Sequence, residues 1–322
     1  MIAFAVRRLG AAALTAALVA AIAFTLLHLA PGEPMTADAE RLHADPTRVA
    51  ALRSRFGLDR PLPEQLARYA LNAARGDLGE SFVAHRPVAT LIRERLPNTL
   101  LLGGGALVLG FALGIAAALV QGARAGSRAD AALGALTVTA WSTPSFWLGL
   151  LLLWLFGQVL GWLPVGGMTT PVLHARMGAV AGALDVARHL VLPALTLAVG
   201  LGAAVARFQR GALVDAMRSE FVRAARAKGL GARSVLVRHA LRASLGPVIT
   251  FAGTAVPALL AGSVLVESVF GWPGMGRLAY DAIAARDYNV ITGVALVGGV
   301  LVALGNLAAD AALAAIDPRS RA

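Results

Sequence analysis

The sequence predicts an all-α polytopic membrane protein of about six transmembrane helices, with a soluble insertion after the first helix and a basic loop before the fifth. Three observations carry that prediction. Of 322 residues, 57% are hydrophobic and only 15% charged, whereas a soluble domain carries roughly 25% charge. The apolar residues gather in blocks of about 20, the length that crosses a bilayer core. The charges fall between those blocks. An ordinary soluble enzyme is excluded.

The first block, Leu9–Ala30, follows Arg7 and Arg8. Signal-peptide cores run about 7–15 residues; this one has 22, so it reads as an uncleaved anchor over 1–30. The insertion, 31–97, is soluble in composition, with helical stretches expected near 46–56 and 63–75 and turns at Gly57, Gly76 and Gly79. Further spans are expected near 98–121, 133–157, 190–206, 245–266 and 290–309, giving a five-helix core over 98–314 and a tail over 315–322. Asn98 is placed to cap the second span. Gly110 and Gly114 form a small-xxx-small pair for close helix packing. Pro193 falls near the start of the fourth span, where its missing N–H costs least.

Orientation follows from the basic residues in short loops. With the N-terminus inside, the inner segments (1–8, 122–130, 207–244 and 315–322) hold 15 Lys and Arg. The outer segments hold 14, but ten of these lie in the long insertion, and long segments translocate regardless of charge. The remaining 4 against 15 predict both termini on the cytoplasmic side of the membrane.

The net charge is +11, with Lys228 the single lysine. This base is scattered through loops rather than gathered on a polar domain, which argues against nucleic acid. Cysteine is absent and the six histidines are isolated in sequence, so thiolate chemistry is excluded and no metal or other cofactor is expected. The span cores carry no charge, whereas proton relays and ion pathways place charges there. That weakens a secondary carrier. A membrane-embedded enzyme is weakened too, because the spans offer no nucleophile–base set or carboxylate pair. No G-x-x-x-x-G-K-[ST] phosphate loop occurs, so any ATP must be bound by another subunit.

The inner loop 207–244 holds the most informative segment. Ser219-Glu220-Phe221-Val222-Arg223-Ala224-Ala225-Arg226-Ala227-Lys228-Gly229 reads as a short helix with a stop. Ser219 is a good N-cap. Glu220 suits the positive end, and Arg226 and Lys228 the negative end. Gly229 is placed for the left-handed conformation that ends a helix. Ala224, Ala225 and Ala227 give a shallow side open to another protein, and a second basic helix is expected over 233–243.

Here the sequence resembles a known family. Arg223 to Leu230, followed by Arg238-His239-Ala240-Leu241, is similar to the cytoplasmic EAA loop of ABC-transporter permeases, in the dipeptide/oligopeptide/nickel branch. The same branch is suggested by Leu29-Ala30-Pro31-Gly32, by Gly57-Leu58-Asp59-Arg60-Pro61 with Gln65 and Tyr69, and by Gly76-Asp77-Leu78-Gly79 with Ser81-Phe82. Arg95-Leu96-Pro97-Asn98-Thr99-Leu100, Pro144-Ser145-Phe146 and Trp162-Leu163-Pro164 add to it. Val266-Glu267-Ser268-Val269-Phe270-Gly271-Trp272-Pro273-Gly274-Met275-Gly276, Arg286-Asp287-Tyr288 and Asp317-Pro318-Arg319 complete the set. Arg223 replaces the glutamate of the broad motif and Arg242 its later proline, both as in the peptide branch.

The resemblance implies a pore-forming, non-catalytic subunit of an ATP-driven importer. Its partners would be a second homologous permease, two cytosolic ATPase subunits and an extracytoplasmic solute-binding protein, all assembled at a lipid membrane. Short peptides are the first substrate class it implies; nickel chelates, opines and glutathione are the alternatives. Glu220, Phe221, Arg223, Ala224, Ala225, Lys228 and Gly229 would couple to the ATPase. Glu267, Phe270, Pro273, Gly274, Gly276, Asp287 and Tyr288 would form an extracytoplasmic gate or docking element.

Overall fold

The computed structural model describes residues 2–29 and 59–316. The expected helical stretch at 46–56, the turn at Gly57, the Ala30-Pro31-Gly32 motif and residues 317–322 lie outside them. The described chain is helical: α1 (Ile2–Leu29), α2 (Leu62–Ala74), α3 (Val88–Ala123), α4 (Arg128–Ser142), α5 (Ser145–Leu152) and α6 (Ala179–Met217) come first. A π-helical turn, Leu153–Val159, extends α5. Then follow α7 (Glu220–Ala227), a composite helical segment over 232–244, α8 (Gly246–Val269), α9 (Met275–Ala285) and α10 (Tyr288–Ile316).

The expectation of six transmembrane helices is not met. Among the described residues three helices are long and apolar enough to cross a membrane: Val88–Ala123, Ala179–Met217 and Tyr288–Ala308. A fourth is reached only by counting α4 and the α5 region as one broken span, bent by 104°. The bend falls at Thr143-Pro144, because proline disfavours helical backbone in the residue before it, and Thr143 is extended there with ψ 124°. The 133–157 block is therefore two helices. In the first block α1 runs over Ile2–Leu29, and the apolar stretch found among its described residues is Leu14–Leu27. The 245–266 block forms α8, which is not among the three that qualify when only the described residues are counted. Counting apolar letters does not register a break such as the one at Pro144.

Helix boundaries also moved. α3 begins at Val88, with Pro97 and Asn98 in its interior, so Asn98 is no cap; its amide donates instead to Pro273 O at 2.8 Å. α6 begins at Ala179, leaving Pro193 well inside the helix rather than at its start. Asp185, Arg188 and His189, which precede the expected span 190–206, lie within α6. The turns at Gly76 and Gly79 do form, with φ +82° and +79°.

The chain divides into two compact units. The first comprises residues 1–99 and 273–304. Its core gathers Leu78, Val88, Leu91 and Ile92 with Met275, Ala282 and Val290. α1 and α2 meet through Phe24 and Tyr69, whose stacked rings lie 6.0 Å apart. Gly293 lets α10 close on Val88, which would stand 2.7 Å from a Cβ there.

The second unit comprises residues 100–272 and 305–322. α6 is its central element: 67% of its apolar window is buried, against 22% for α3. α4, α5 and α8 all pack along it. The core joins Leu102 and Ala106 to Leu192, Leu197, Leu201 and Val205, and then to Val248, Val266, Phe270 and Trp272. Small residues set the approach of α3 to α6. A Cβ on Gly110 would come within 2.8 Å of Leu201, and one on Gly114 within 2.6 Å of both Gly202 O and Val205. The small-xxx-small reading therefore holds, and its partner on α6 is Gly202. Without a hydrophobic drive between helices in lipid, such close backbone packing is a main source of association.

Gly114→Val is expected to cost about 3 kcal/mol, the upper part of the range for over-packing, because the obstacle is backbone. Gly103→Ala, on the same helix with nothing within 4 Å, should be neutral or gain about 0.5 kcal/mol. Thermal unfolding in detergent checks the pair; equal midpoints would contradict the crossing.

Candidate functional site

The loop after α6 turns on a short polar joint. Ser219 occupies the N-cap position of α7 with extended backbone, but its hydroxyl does not cap the helix as the sequence suggests. It donates back to Ala216 O at 2.5 Å, tying the joint to the last turn of α6. At the other end Gly229 adopts φ +79°. Gly229 N–H donates to Arg226 O at 2.9 Å and Leu230 N–H to Ala225 O at 3.3 Å. This pair of bonds is the Schellman stop that a left-handed glycine permits. The helix is thus defined at both ends by local chemistry.

Its two faces differ. Val222 and Ala225 point inward and are 0% and 6% exposed. They pack with Leu213 of α6 and with Val235 and Ala240 of the composite segment, flanked by Leu119 and Met217. Ala225 therefore belongs to the protein's own core and not to the shallow outer side. The outer side consists of Glu220, Phe221, Arg223, Ala224, Ala227 and Lys228, all exposed. Phe221 is 45% exposed, a large apolar side chain facing outward on a polar helix. Glu220 pairs with Arg223 one turn along. Arg226, Arg233, Arg238 and Arg242 are also exposed, so the aromatic and the two small residues sit in a basic frame.

The expected second helix, 233–243, is present but irregular: Val235–Ala240 is π-helical. One register step of this kind brings both Val235 and Ala240 inward, and π-turns concentrate at functional places. The segment is fastened to α6 by a buried hydrogen bond from Gln209 Nε2 to Ser244 Oγ, 2.7 Å.

The residues expected to form one outer gate fall in different units. In the second unit Glu267 ends the buried part of α8, and Phe270 and Trp272 are 3% and 0% exposed. These two aromatics are core residues of the second unit. The Phe270 carbonyl accepts the Gly167 N–H at 2.8 Å, and its ring lies against Gly149. In the first unit Pro273, Gly274 and Gly276 lead into α9, where Met275 N–H donates to Thr99 Oγ1 at 2.7 Å. Asp287 is 3% exposed and accepts from Ser81 Oγ at 2.5 Å and Val83 N–H at 3.3 Å. It also caps α10 through Val290 N–H. Arg286 ends α9 in left-handed backbone, φ +54°, and Tyr288 begins α10 as a buried residue. Asp287 is thus a buried joint between α9, α10 and the 81–83 turn.

Two polar clusters escaped the sequence reading. Asp130 is buried at the start of α4 and takes a bidentate pair from Arg210 of α6, Nε at 2.7 Å and Nη2 at 2.6 Å. Ser127-x-x-Asp130 is a capping pattern visible in the sequence, but its partner is 80 residues away. Asp185 accepts from Thr170 Oγ1 at 2.7 Å and from Thr170 N–H at 2.9 Å, and lies 2.7 Å from His174 Nδ1. His189 Nδ1 lies 2.8 Å from the Asp185 carbonyl oxygen. Histidines isolated in sequence are therefore brought together around one carboxylate.

The likeness to known proteins extends over the whole chain. Residues 110–322 match the family described as binding-protein-dependent transport system inner membrane component. Residues 1–103 match the N-terminal family of the same membrane components. The di/tripeptide transport system permease protein DppB of Pseudomonas aeruginosa is 36% identical over all of this chain and 99% of its own length. The oligopeptide transport system permease protein AppB of Bacillus subtilis is 37% identical over 92% of each chain. The glutathione transport system permease protein GsiC of Escherichia coli is 36% identical over all of this chain and 99% of its own. Among solved structures, a chain of the MetNI methionine ABC transporter, captured in inward-facing conformations, matches with TM-score 0.56 at 18% identity. The match covers 70% of this chain and 96% of that one, and what it shares is the fold. The chain therefore belongs to the family of binding-protein-dependent transport system inner membrane components, as a non-catalytic permease subunit of an ATP-driven importer.

Proposed function

We propose that this permease imports short peptides, together with a second homologous permease, two cytosolic ATPase subunits and an extracytoplasmic solute-binding protein. The substrate class rests on relatives of near-equal identity whose names specify di/tripeptides, oligopeptides and glutathione, itself a tripeptide. The coupling role rests on one observation: α7 is a capped helix whose inner face is anchored in the protein while Phe221, Ala224 and Ala227 face outward in a basic frame. An acidic-rimmed groove with an apolar floor is the complement to that surface. Reversing a 1:99 conformational equilibrium needs about 5.5 kcal/mol of differential binding. ATP bound between the ATPase subunits would supply it, and a seat on a firmly held helix passes it on.

In this reading both termini and α7 are cytoplasmic, and the 158–189 region and the turn around Ser81 face outward to receive the binding protein. The absence of native cysteine makes the orientation directly measurable. Ala84, beside the buried Ser81, and Ala232, just before the composite segment's π-turn, are both exposed and serve as probes. In intact cells with a permeabilised outer layer, an impermeant thiol reagent is expected to label Ala84→Cys and spare Ala232→Cys. The opposite pattern overturns the orientation.

Phe221→Ala removes the one aromatic of the outer face and leaves the Val222–Ala225 side intact. Loss of a buried aromatic contact of about 1.5–3 kcal/mol corresponds to a 10- to 150-fold weaker association. ATPase co-purification and dipeptide uptake are therefore expected to fall together at unchanged membrane abundance. Normal co-purification with normal uptake would leave α7 as a solvated loop helix.

A further inference from the structure

We propose that Asp130 and Arg210 are positioning residues that transmit the displacement of α7 to α4, and so set how strongly ATP turnover responds to loaded binding protein. The proposal rests on the reading of α7 as the ATPase seat. The Asp130 side chain is 5% exposed, deep enough that an unpaired charge would not be tolerated. All its capacity is engaged. The Arg210 fork takes both carboxylate oxygens, Gly126 N–H donates to one at 3.0 Å, and Gln121 Nε2 reaches the other at 3.3 Å. A planar two-point pair fixes orientation as well as distance. Residues on α3, α4 and α6 are thus held in one register at the start of α4.

One turn further along α6 stands Leu213, fully buried under Val222 and Ala225 of α7. Leu213 is also the residue that closes on Gly122, where a Cβ would approach its Cδ2 to 2.5 Å. The same turn of α6 therefore carries α7 on one side and grips α4 on the other, while Gln121 and Gly122 are neighbours on α3. A shift of α7 that moves this turn must move the start of α4 or break the fork. Beside the fork lies a cavity of about 510 Å³ lined by Gln121, Asp130, Gly134, Thr137, Arg207 and Arg210. It gives α4 room to move without first expelling packed side chains. At its far end α4 leads into the 104° bend to α5, so a displacement at Asp130 reaches the broken span. Arg210 is 39% exposed, so the pair adds little stability; its two-point geometry fixes registry, and registry is what transmission requires.

The test uses the complete complex in proteoliposomes with its ATPase and binding-protein partners. Asp130→Asn keeps the shape and the Gly126 bond while removing the charge. Arg210→Lys keeps the charge and removes the fork. Both are expected to retain ATPase co-purification and basal turnover within about twofold. Stimulation by loaded binding protein should fall at least tenfold, with fewer peptides imported per ATP. Unchanged stimulation in both variants overturns the proposal. So does a fall of basal and stimulated turnover in the same proportion per assembled complex, which would mark the pair as merely structural. Phe221→Ala run alongside separates the two readings. If it lowers co-purification while Asp130→Asn keeps full stimulation, the seat stands and the latch fails. If it leaves co-purification unchanged, the seat fails and the latch with it.

Discussion

The close crossing of α3 on α6 is the constraint on which the second unit depends. Three glycines of α3, Gly110, Gly114 and Gly122, stand where any side chain would strike α6. Their absence of side chain lets the two helices meet backbone to backbone around Gly110, Gly114 and Gly202. In a bilayer the apolar effect that drives soluble cores is missing between helices, so this intimacy replaces it. α6 is then buried on most sides while α3 keeps an outward apolar face. α4, α5 and α8 use α6 as their common floor.

The proposed coupling surface inherits its stiffness from that crossing. Leu213 lies at the lower end of the same contact and forms the bed for Val222 and Ala225. α7 has only two turns, and helices this short are not stable alone in water. It persists because its inner face is packed, its end is stopped by Gly229, and Ser219 ties its start to α6. The proposed seat would have to be rigid where it is held and open where it is pushed. Packing satisfies the first condition, and the exposed Phe221, Ala224 and Ala227 satisfy the second.

Much of this was legible in the sequence, and the failures have physical causes. The α7 stop could be read because Gly229 acts locally, through its own backbone angle. The glycine pair at 110 and 114 could be read because its spacing is helical. Span count could not, since Pro144 splits one apolar block and composition is blind to direction. Asn98 was mistaken for a cap because Pro97 looked like a boundary, yet α3 continues through it and spends the Asn98 amide on Pro273 O. Ala225 was assigned to the open side because alanine fits either face; only the contacts of Leu213, Val235 and Ala240 decide. The Asp130–Arg210 pair and the histidines around Asp185 depend on residues distant in sequence, and no local pattern announces such partners.

Site-specific photo-crosslinking in the assembled membrane complex tests the central claim most directly, because it asks what touches the outer face of α7. A photoreactive amino acid in place of Ala224, exposed on α7, is compared with one in place of Val108, which is 71% exposed on α3. The account predicts a covalent adduct between position 224 and an ATPase subunit, with none from position 108. No ATPase adduct from position 224, or equal yields from the two positions, would contradict it.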